Sequence, residues 1–142
     1  MNIEVTATSK KPVKFNGIMA YKGFIRIGET KETIFSPIDT WSLEDYKKQW
    51  KDALLRLKYH DTSCLVVAYT SVDNNPGIEW WPLYRVGDTV YVQNQVVWLD
   101  EYKSRIGNKL FTPDTCYDFV HVRRTVDEDG NQLSEWSVPW TE

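Results

Sequence analysis

Few side chains in this sequence could carry out acid–base or metal chemistry in concert. The two histidines, His60 and His121, are distant in the chain, and neither belongs to a metal-ligand spacing. His60 precedes Asp61 at the predicted end of a helix, where the helix dipole favours a histidine. His121 alternates with Phe119 along a predicted strand. We therefore expect both histidines to be structural or surface residues.

The two cysteines, Cys64 and Cys116, lack the surroundings that make a thiol reactive. Cys64 lies in an apolar run beside Leu65 and is expected to be a core residue. Cys116 is expected to be more exposed, but nothing around it in the sequence is electropositive enough to indicate a reactive thiol. The seven glycines form no phosphate-binding pattern. The sequence therefore predicts a protein that is not an enzyme and has no catalytic residues, metal site or cofactor.

Composition predicts one domain spanning all 142 residues. The start of the chain lacks the apolar region of a signal peptide, and no apolar run reaches the length of a membrane helix, so we expect a cytoplasmic protein. A net charge of -3 argues against a protein devoted to nucleic acid. Residues 111–142 hold seven acidic and two basic side chains, whereas residues 1–110 hold thirteen and fifteen. Such asymmetry marks either a binding face or a solvated loop.

The segment 80–101 predicts a β-hairpin that turns at Gly87-Asp88. Across this turn Val86 should face Thr89, Tyr84 should face Tyr91 and Pro82 should face Gln93. Period-2 alternation then gives one core face, which comprises Trp81, Leu83, Val90, Val92, Val96 and Trp98. The opposite face mixes aromatic and amide side chains, namely Trp80, Tyr84, Tyr91, Gln93 and Gln95. That face should be half-covered by another element or offered to a partner.

The other elements predict an α+β fold, in which twisted antiparallel sheets pack with one main α-helix at about 42–59. Ser42 and Asp45 form a capping-box-like start, and apolar residues at helical spacing make one stripe. The run 64–70 is typical of a central strand covered on both faces. Residues 118–126 and 133–138 should form a second hairpin around the turn 127–131. A turn is expected at 74–77, and 99–113 is ambiguous, with a hint of a short helix near 100–103.

Three blocks of the chain stand in an order that resembles a known family. They are Trp41/Asp45/Tyr46/Trp50, then Val90/Tyr91/Val92/Gln93/Asn94/Val96, then Asp129/Gly130/Ser134/Glu135/Trp136. This pattern resembles one group of immunity proteins from bacterial contact-dependent growth inhibition systems. The likeness covers roughly residues 41–136, and the segment 102–117 is longer than expected for the group.

The resemblance implies a binding function. It implies that the partner is the cognate toxin domain of a contact-dependent inhibition exoprotein, that the two form a heterodimer, and that the protein covers the toxin's active site. The related toxins cleave ribosomal RNA, so the resemblance implies an RNase. Acidic groups complement a basic RNA-binding cleft, and aromatic side chains anchor interfaces. The expected toxin-binding residues are Asp127, Glu128, Asp129, Glu135, Trp80, Tyr84 and Tyr91.

Single-stranded nucleic-acid binding is the alternative function. Aromatic rings on an open strand face can stack bases, while lysines neutralise phosphates. The predicted helix supplies four such lysines, Lys47, Lys48, Lys51 and Lys58. Such binding requires the rings and the positive charge on one surface, and the acidic balance of the chain weighs against it.

Overall fold

A computed structural model describes residues 1–71, 77–98 and 110–141 of the chain. Two antiparallel sheets and one α-helix make up this part, which confirms the predicted α+β class. The first sheet contains β1 (Ile3–Ala7), β2 (Val13–Phe15), β3 (Ile18–Ile27) and β4 (Thr30–Pro37). The helix α1 (Leu43–Arg56) follows. The second sheet contains β5 (Thr62–Thr70), β6 (Gly77–Val86), β7 (Thr89–Gln93), β8 (Gln95–Trp98) and β9 (Glu135–Pro139). No helix within the described ranges is long and apolar enough to cross a membrane.

The first sheet is built around β3, which pairs with β1 and β2 along one edge and with β4 along the other. Its centre requires a glycine, because a Cβ at Gly23 would lie 2.1 Å from the carbonyl oxygen of Thr6. The inner side chains of this sheet, including Ile25 and Ile34, join a single core with the helix and the second sheet.

The helix begins as its sequence predicts. Ser42 is the N-cap, its hydroxyl accepts from the backbone nitrogen of Asp45 at 3.1 Å, and the Asp45 carboxylate accepts from the Ser42 nitrogen at 3.0 Å. The helix ends at Arg56, three residues before the predicted end at 59. The buried part of its apolar stripe consists of Tyr46, Trp50, Ala53 and Leu57.

β5 is an edge strand, and the prediction that it is central is wrong. Among the described strands of the second sheet it pairs with β6 alone, yet residues 63–67 are buried. The burial arises because α1 lies along the open edge and offers side chains to its backbone. Contacts of this kind link residues distant in the sequence, so an apolar run cannot distinguish a central strand from an edge strand covered by a helix.

The hairpin register is confirmed at two of its three predicted pairs. Val86 faces Thr89 and Tyr84 faces Tyr91. The third predicted pair, Pro82 with Gln93, lies where the ladder is interrupted between β7 and β8. Proline has no N–H to donate, so a strand paired with it loses a ladder bond at that point. The same register resumes beyond the interruption, where Trp80 faces Gln95.

The predicted faces of the hairpin are correct near the turn and wrong further away. Trp81, Leu83, Val90 and Val92 are buried, as predicted, but Val96 and Trp98 are exposed. The two exposed residues lie on β8, at the margin of the sheet, and the ring of Trp98 lies over Gly77. On the opposite face, Trp80, Tyr84 and Gln93 are buried, so that face is covered rather than open.

The predicted hairpin around residues 127–131 has one strand only. A short 3-10 helix, Cys116–Phe119, is followed by residues 120–124, which join no strand of the described ranges. Val126 and Gln132 form an isolated bridge, and β9 pairs with β7 instead. The β-like alternation at 118–126 is therefore not matched by a sheet. The predicted turn at 74–76, the helical hint near 100–103 and residues 102–109 of the 102–117 segment lie outside the described residues.

Candidate partner-binding surface

The amide and aromatic face of the hairpin forms a connected chain of hydrogen bonds. The indole nitrogen of Trp80 donates to the Gln95 side chain at 3.4 Å, and Gln95 donates to Gln93 at 2.9 Å. Gln93 then donates to the Glu135 carboxylate at 2.8 Å and to the backbone oxygen of Arg124 at 2.7 Å. This series of hydrogen bonds leads from the core to residues 120–124, which lie across β7 and β9. We call residues 120–124 the covering segment.

Glu135 fastens that segment by an ion pair with Arg123. The guanidinium of Arg123 donates through Nη2 and Nε to the two carboxylate oxygens at 2.6 and 3.0 Å. The hydrogen bond from Arg123 lowers the pKa of Glu135 below its usual range, helped by Gln93 and opposed by partial burial. Glu135 therefore acts within the fold as an anchor, in addition to its predicted contribution to an acidic surface.

The predicted aromatic anchors are partly or fully buried. The Arg123 guanidinium stands 3.8 Å from the centre of the Tyr91 ring, and Tyr91 is half-buried. Trp80 has no exposed surface, and Tyr84 is 4% exposed. In the free protein these two side chains are therefore interior residues and do not form the outer surface.

The acidic turn divides into a structural residue and two outward ones. One carboxylate oxygen of Asp127 accepts from the backbone nitrogens of Asp129 and Asn131, both at 2.9 Å. This geometry lets a short polar side chain hold the turn. The side chains of Glu128 and Asp129 are exposed and carry the negative charge outward.

Two exposed valines lie in or near the covering segment. Val122 is 88% exposed and Val86 is 57% exposed. Both line a shallow depression of about 460 Å³, whose other lining residues are Asp61, Thr62, Tyr84, Arg85, Gly87 and Arg123. We call Val86, Val122, Glu128 and Asp129 the outer set. Sequence reasoning identified the two acids and missed the two valines, because exposure of a valine is not visible in an alternating pattern.

Of the residues considered for chemistry, the two thiols are neighbours, and the two histidines differ in their exposure. His60 is exposed just beyond α1, and His121 is half-buried in the covering segment. Both thiols are buried, so the expectation that Cys116 is exposed is wrong. Burial, followed by the neighbouring Cys116, raises the pKa of Cys64, which keeps this thiol protonated and unreactive. Within the described ranges, no three His, Cys, Asp or Glu side chains are grouped to hold a metal ion.

The rings and lysines of the nucleic-acid alternative do not share an open surface. Trp80 and Tyr84 are buried and cannot stack bases in this conformation. Lys48 is engaged by Asp52 at 2.7 Å and Asp114 at 2.6 Å. The proposed hairpin face and the helix therefore do not form a combined platform.

Comparison with known proteins places this geometry in a family. The model for the CdiI N-terminal domain matches residues 36–142. The chain belongs to the CdiI family of immunity proteins. The match begins near the end of β4, so it includes the helix, the second sheet and all the residues of the outer set.

Two relatives support the family assignment. The protein described as immunity protein CdiI from Enterobacter cloacae subsp. cloacae is 33% identical over 129 residues, which are 89% of this chain and 83% of that protein. A chain in the solved CdiA-CT/CdiI toxin and immunity complex from Enterobacter cloacae superposes with a TM-score of 0.78 at 31% identity. That superposition covers 96% of this chain and 90% of the other, so the likeness extends beyond the family match into the first sheet.

Proposed function

We propose that this protein binds the C-terminal toxin domain of a contact-dependent growth inhibition exoprotein and neutralises it in the cytoplasm. The observation that carries the proposal is the likeness, over 96% of the chain, to a component of a toxin and immunity complex. A fold retained over almost the whole chain at 31% identity supports a shared mode of action by binding, and the two proteins would form a heterodimer.

The proposal extends to an RNase toxin whose active site the protein covers. A ribonuclease needs a basic cleft to hold its substrate, and an acidic partner is attracted to such a cleft. Glu128 and Asp129 supply outward charge, while Val86 and Val122 supply apolar contact area. Asp127 and Glu135 contribute to the field and also hold the surface in shape. Tyr91 enters the proposal as the ring beneath Arg123, and the buried Trp80 and Tyr84 enter it as interior residues behind this surface.

The test uses the toxin domain encoded with this protein. Calorimetric titration of the purified pair should give a one-to-one complex, and the complex should lose the ability to cleave ribosomal RNA. A toxin domain from an unrelated inhibition system is the control and should not bind. Failure of the cognate pair to associate contradicts the proposal, whereas a complex that still cleaves RNA contradicts covering of the active site alone.

Neutralisation by binding also makes a genetic test possible. A variant with His60→Ala and His121→Ala should still protect cells that express the toxin, because neither side chain belongs to a catalytic group. Loss of protection by a variant whose melting curve and toxin affinity match the wild type would indicate a chemical step.

A further inference from the structure

The edge strands β5 and β1 differ in whether another element covers their free edge. The open edge of β5 is covered by α1, whereas β1 pairs with β3 on one side and with no other strand among the described residues. An edge strand with free N–H and C=O groups is a template for another strand. The edge of β1 is therefore a candidate surface for strand addition.

The register identifies which backbone groups point outward. Gly28 donates to the carbonyl of Asn2, and Thr8 donates to the carbonyl of Lys22, each at 2.8 Å. Hydrogen-bonded pairs alternate along an antiparallel ladder, so the even-numbered residues of β1 bond to β3. The backbone groups of Val5 and Ala7 consequently point away from the sheet.

A groove lies beside these outward groups. It has a volume of about 280 Å³, and β1 forms one wall through Val5, Thr6 and Ala7. The helix forms the opposite wall through Trp50, Leu54, Lys47 and Lys51. An extended chain paired with β1 would place its inward side chains against the apolar side chains of Trp50 and Leu54 in the helix wall.

The charge at the rim indicates what kind of chain fits. Lys47 and Lys51 are exposed, and within the described ranges neither forms an ion pair. Lys48 on the same helix differs, because it is held by Asp52 and Asp114. The ammonium groups of Lys47 and Lys51 favour a segment that carries carboxylates.

We propose that the β1 edge and its groove bind an extended, acidic segment of another protein by β-strand addition. This inference does not rest on the toxin-binding function, and β1 lies before the matched residues 36–142. A second copy of the chain is a poor occupant, since antiparallel pairing of two β1 edges would bring the Lys47 and Lys51 side chains of both copies to one side of the joined sheet.

A short peptide of alternating valine and glutamate tests the proposal. Amide spectra of the ¹⁵N-labelled protein should show saturable shifts and slowed hydrogen exchange at Val5 and Ala7. Two further peptides carry N-methyl groups on alternate residues, so that each is methylated along a different backbone edge. One of them should bind at least tenfold more weakly than the other, because a methylated edge cannot donate hydrogen bonds to β1. A peptide with lysine in place of glutamate should not bind.

Variants separate the roles of charge and position. The double variant Lys47→Glu and Lys51→Glu should raise the dissociation constant about tenfold, as expected for two exposed ion pairs converted to repulsions. The double variant Lys22→Glu and Lys31→Glu makes the same change of net charge on exposed residues of the first sheet and should leave binding nearly unchanged.

Three results would overturn the proposal. They are the absence of saturable shifts, equal binding by peptides methylated on either edge, and equal weakening by both pairs of lysine substitutions. Concentration-dependent protection of Val5 and Ala7 without any peptide would identify a second copy as the occupant instead.

Discussion

The side-chain oxygen of Gln49 accepts a hydrogen bond from the backbone nitrogen of Val66 at 2.9 Å. The nitrogen of the same amide donates to the carbonyl of Cys64 at 2.7 Å. An amide side chain thus imitates the edge of a neighbouring strand. Trp50 continues the pattern by donating to the Val66 carbonyl at 2.7 Å, and the Tyr46 hydroxyl bonds to both backbone groups of Tyr69. The helix therefore completes the second sheet with side chains.

Replacement of Gln49 should lower the free energy of unfolding. Gln49→Leu preserves most of the volume but leaves the Val66 N–H and the Cys64 carbonyl buried without these partners. Two such groups should lower the free energy of unfolding by about 3 kcal/mol. Urea denaturation measures the change, with Lys51→Gln on the exposed side of the helix as a control expected within about 0.5 kcal/mol. Equal stability of both variants would show that water or a rearranged side chain replaces Gln49.

Trp50→Ala should cost more than loss of the helix cap. Removal of a buried indole creates a cavity and should lower the free energy of unfolding by roughly 3–5 kcal/mol. Ser42→Ala removes only the N-cap hydroxyl and should cost about 1 kcal/mol. Thermal or urea melts compare the two variants with the wild type. A Trp50→Ala protein as stable as the wild type would contradict the observed packing of α1.

The Arg123–Glu135 pair should make stability depend on pH. The folded-state pKa of Glu135 is lowered, so the pair contributes fully above the ordinary glutamate pKa of about 4.3, and the contribution is lost as the pH falls through the lower folded value. Glu135→Gln should cost about 1–2 kcal/mol at neutral pH, and its difference from the wild type should disappear in acid.

An exposed ion pair provides the control for that measurement. Glu4 and Arg26 are separated by 3.5 Å on the surface of the first sheet. Glu4→Gln should therefore change stability little at any pH. A cost at Glu135 that persists unchanged in acid would show that charge is not the source of the stabilisation.

Charge reversal in the acidic turn should slow association with the toxin. Glu128→Lys with Asp129→Lys should reduce the on-rate about tenfold at low salt and weaken its dependence on salt. Asp127 is left in place because its carboxylate holds the turn. Stopped-flow mixing measures the rates. Glu29→Lys with Glu32→Lys changes the net charge equally, in the β3–β4 turn and on β4, and should have a much smaller effect.

Local chemistry explains which parts of the fold could be predicted from the sequence. The Ser42–Asp45 capping box and the Gly87–Asp88 turn depend on neighbouring residues, and both were predicted correctly. The status of β5 depends on a helix packed along its edge, which periodicity does not report. Gln49 offered a signal that was missed, since it is a polar residue adjoining the apolar stripe of α1. Its role depends on the backbone groups at the edge of β5, which lie far from it in the sequence.

The candidate surface was predicted less completely than the fold. The two outward acids, Glu128 and Asp129, were visible as charge, and Glu135 was identified without its anchoring role. The pairing of Arg123 with Glu135 joins a segment outside the sheet to β9, and alternation at 118–126 suggested a strand instead. Tertiary hydrogen bonds made by side chains leave no periodic trace in the sequence.

The side-chain contacts that hold residues 120–124 affect which substitutions the protein can tolerate during evolution. Within the part of the chain that the structure describes, their backbone joins no β-ladder, and they are held through Arg123 and the carbonyl of Arg124. Substitution at an outward position such as Val122 leaves strand register and core volume unaltered. Mutations can therefore accumulate there without loss of foldability, and new binding preferences can be sampled on an unchanged scaffold.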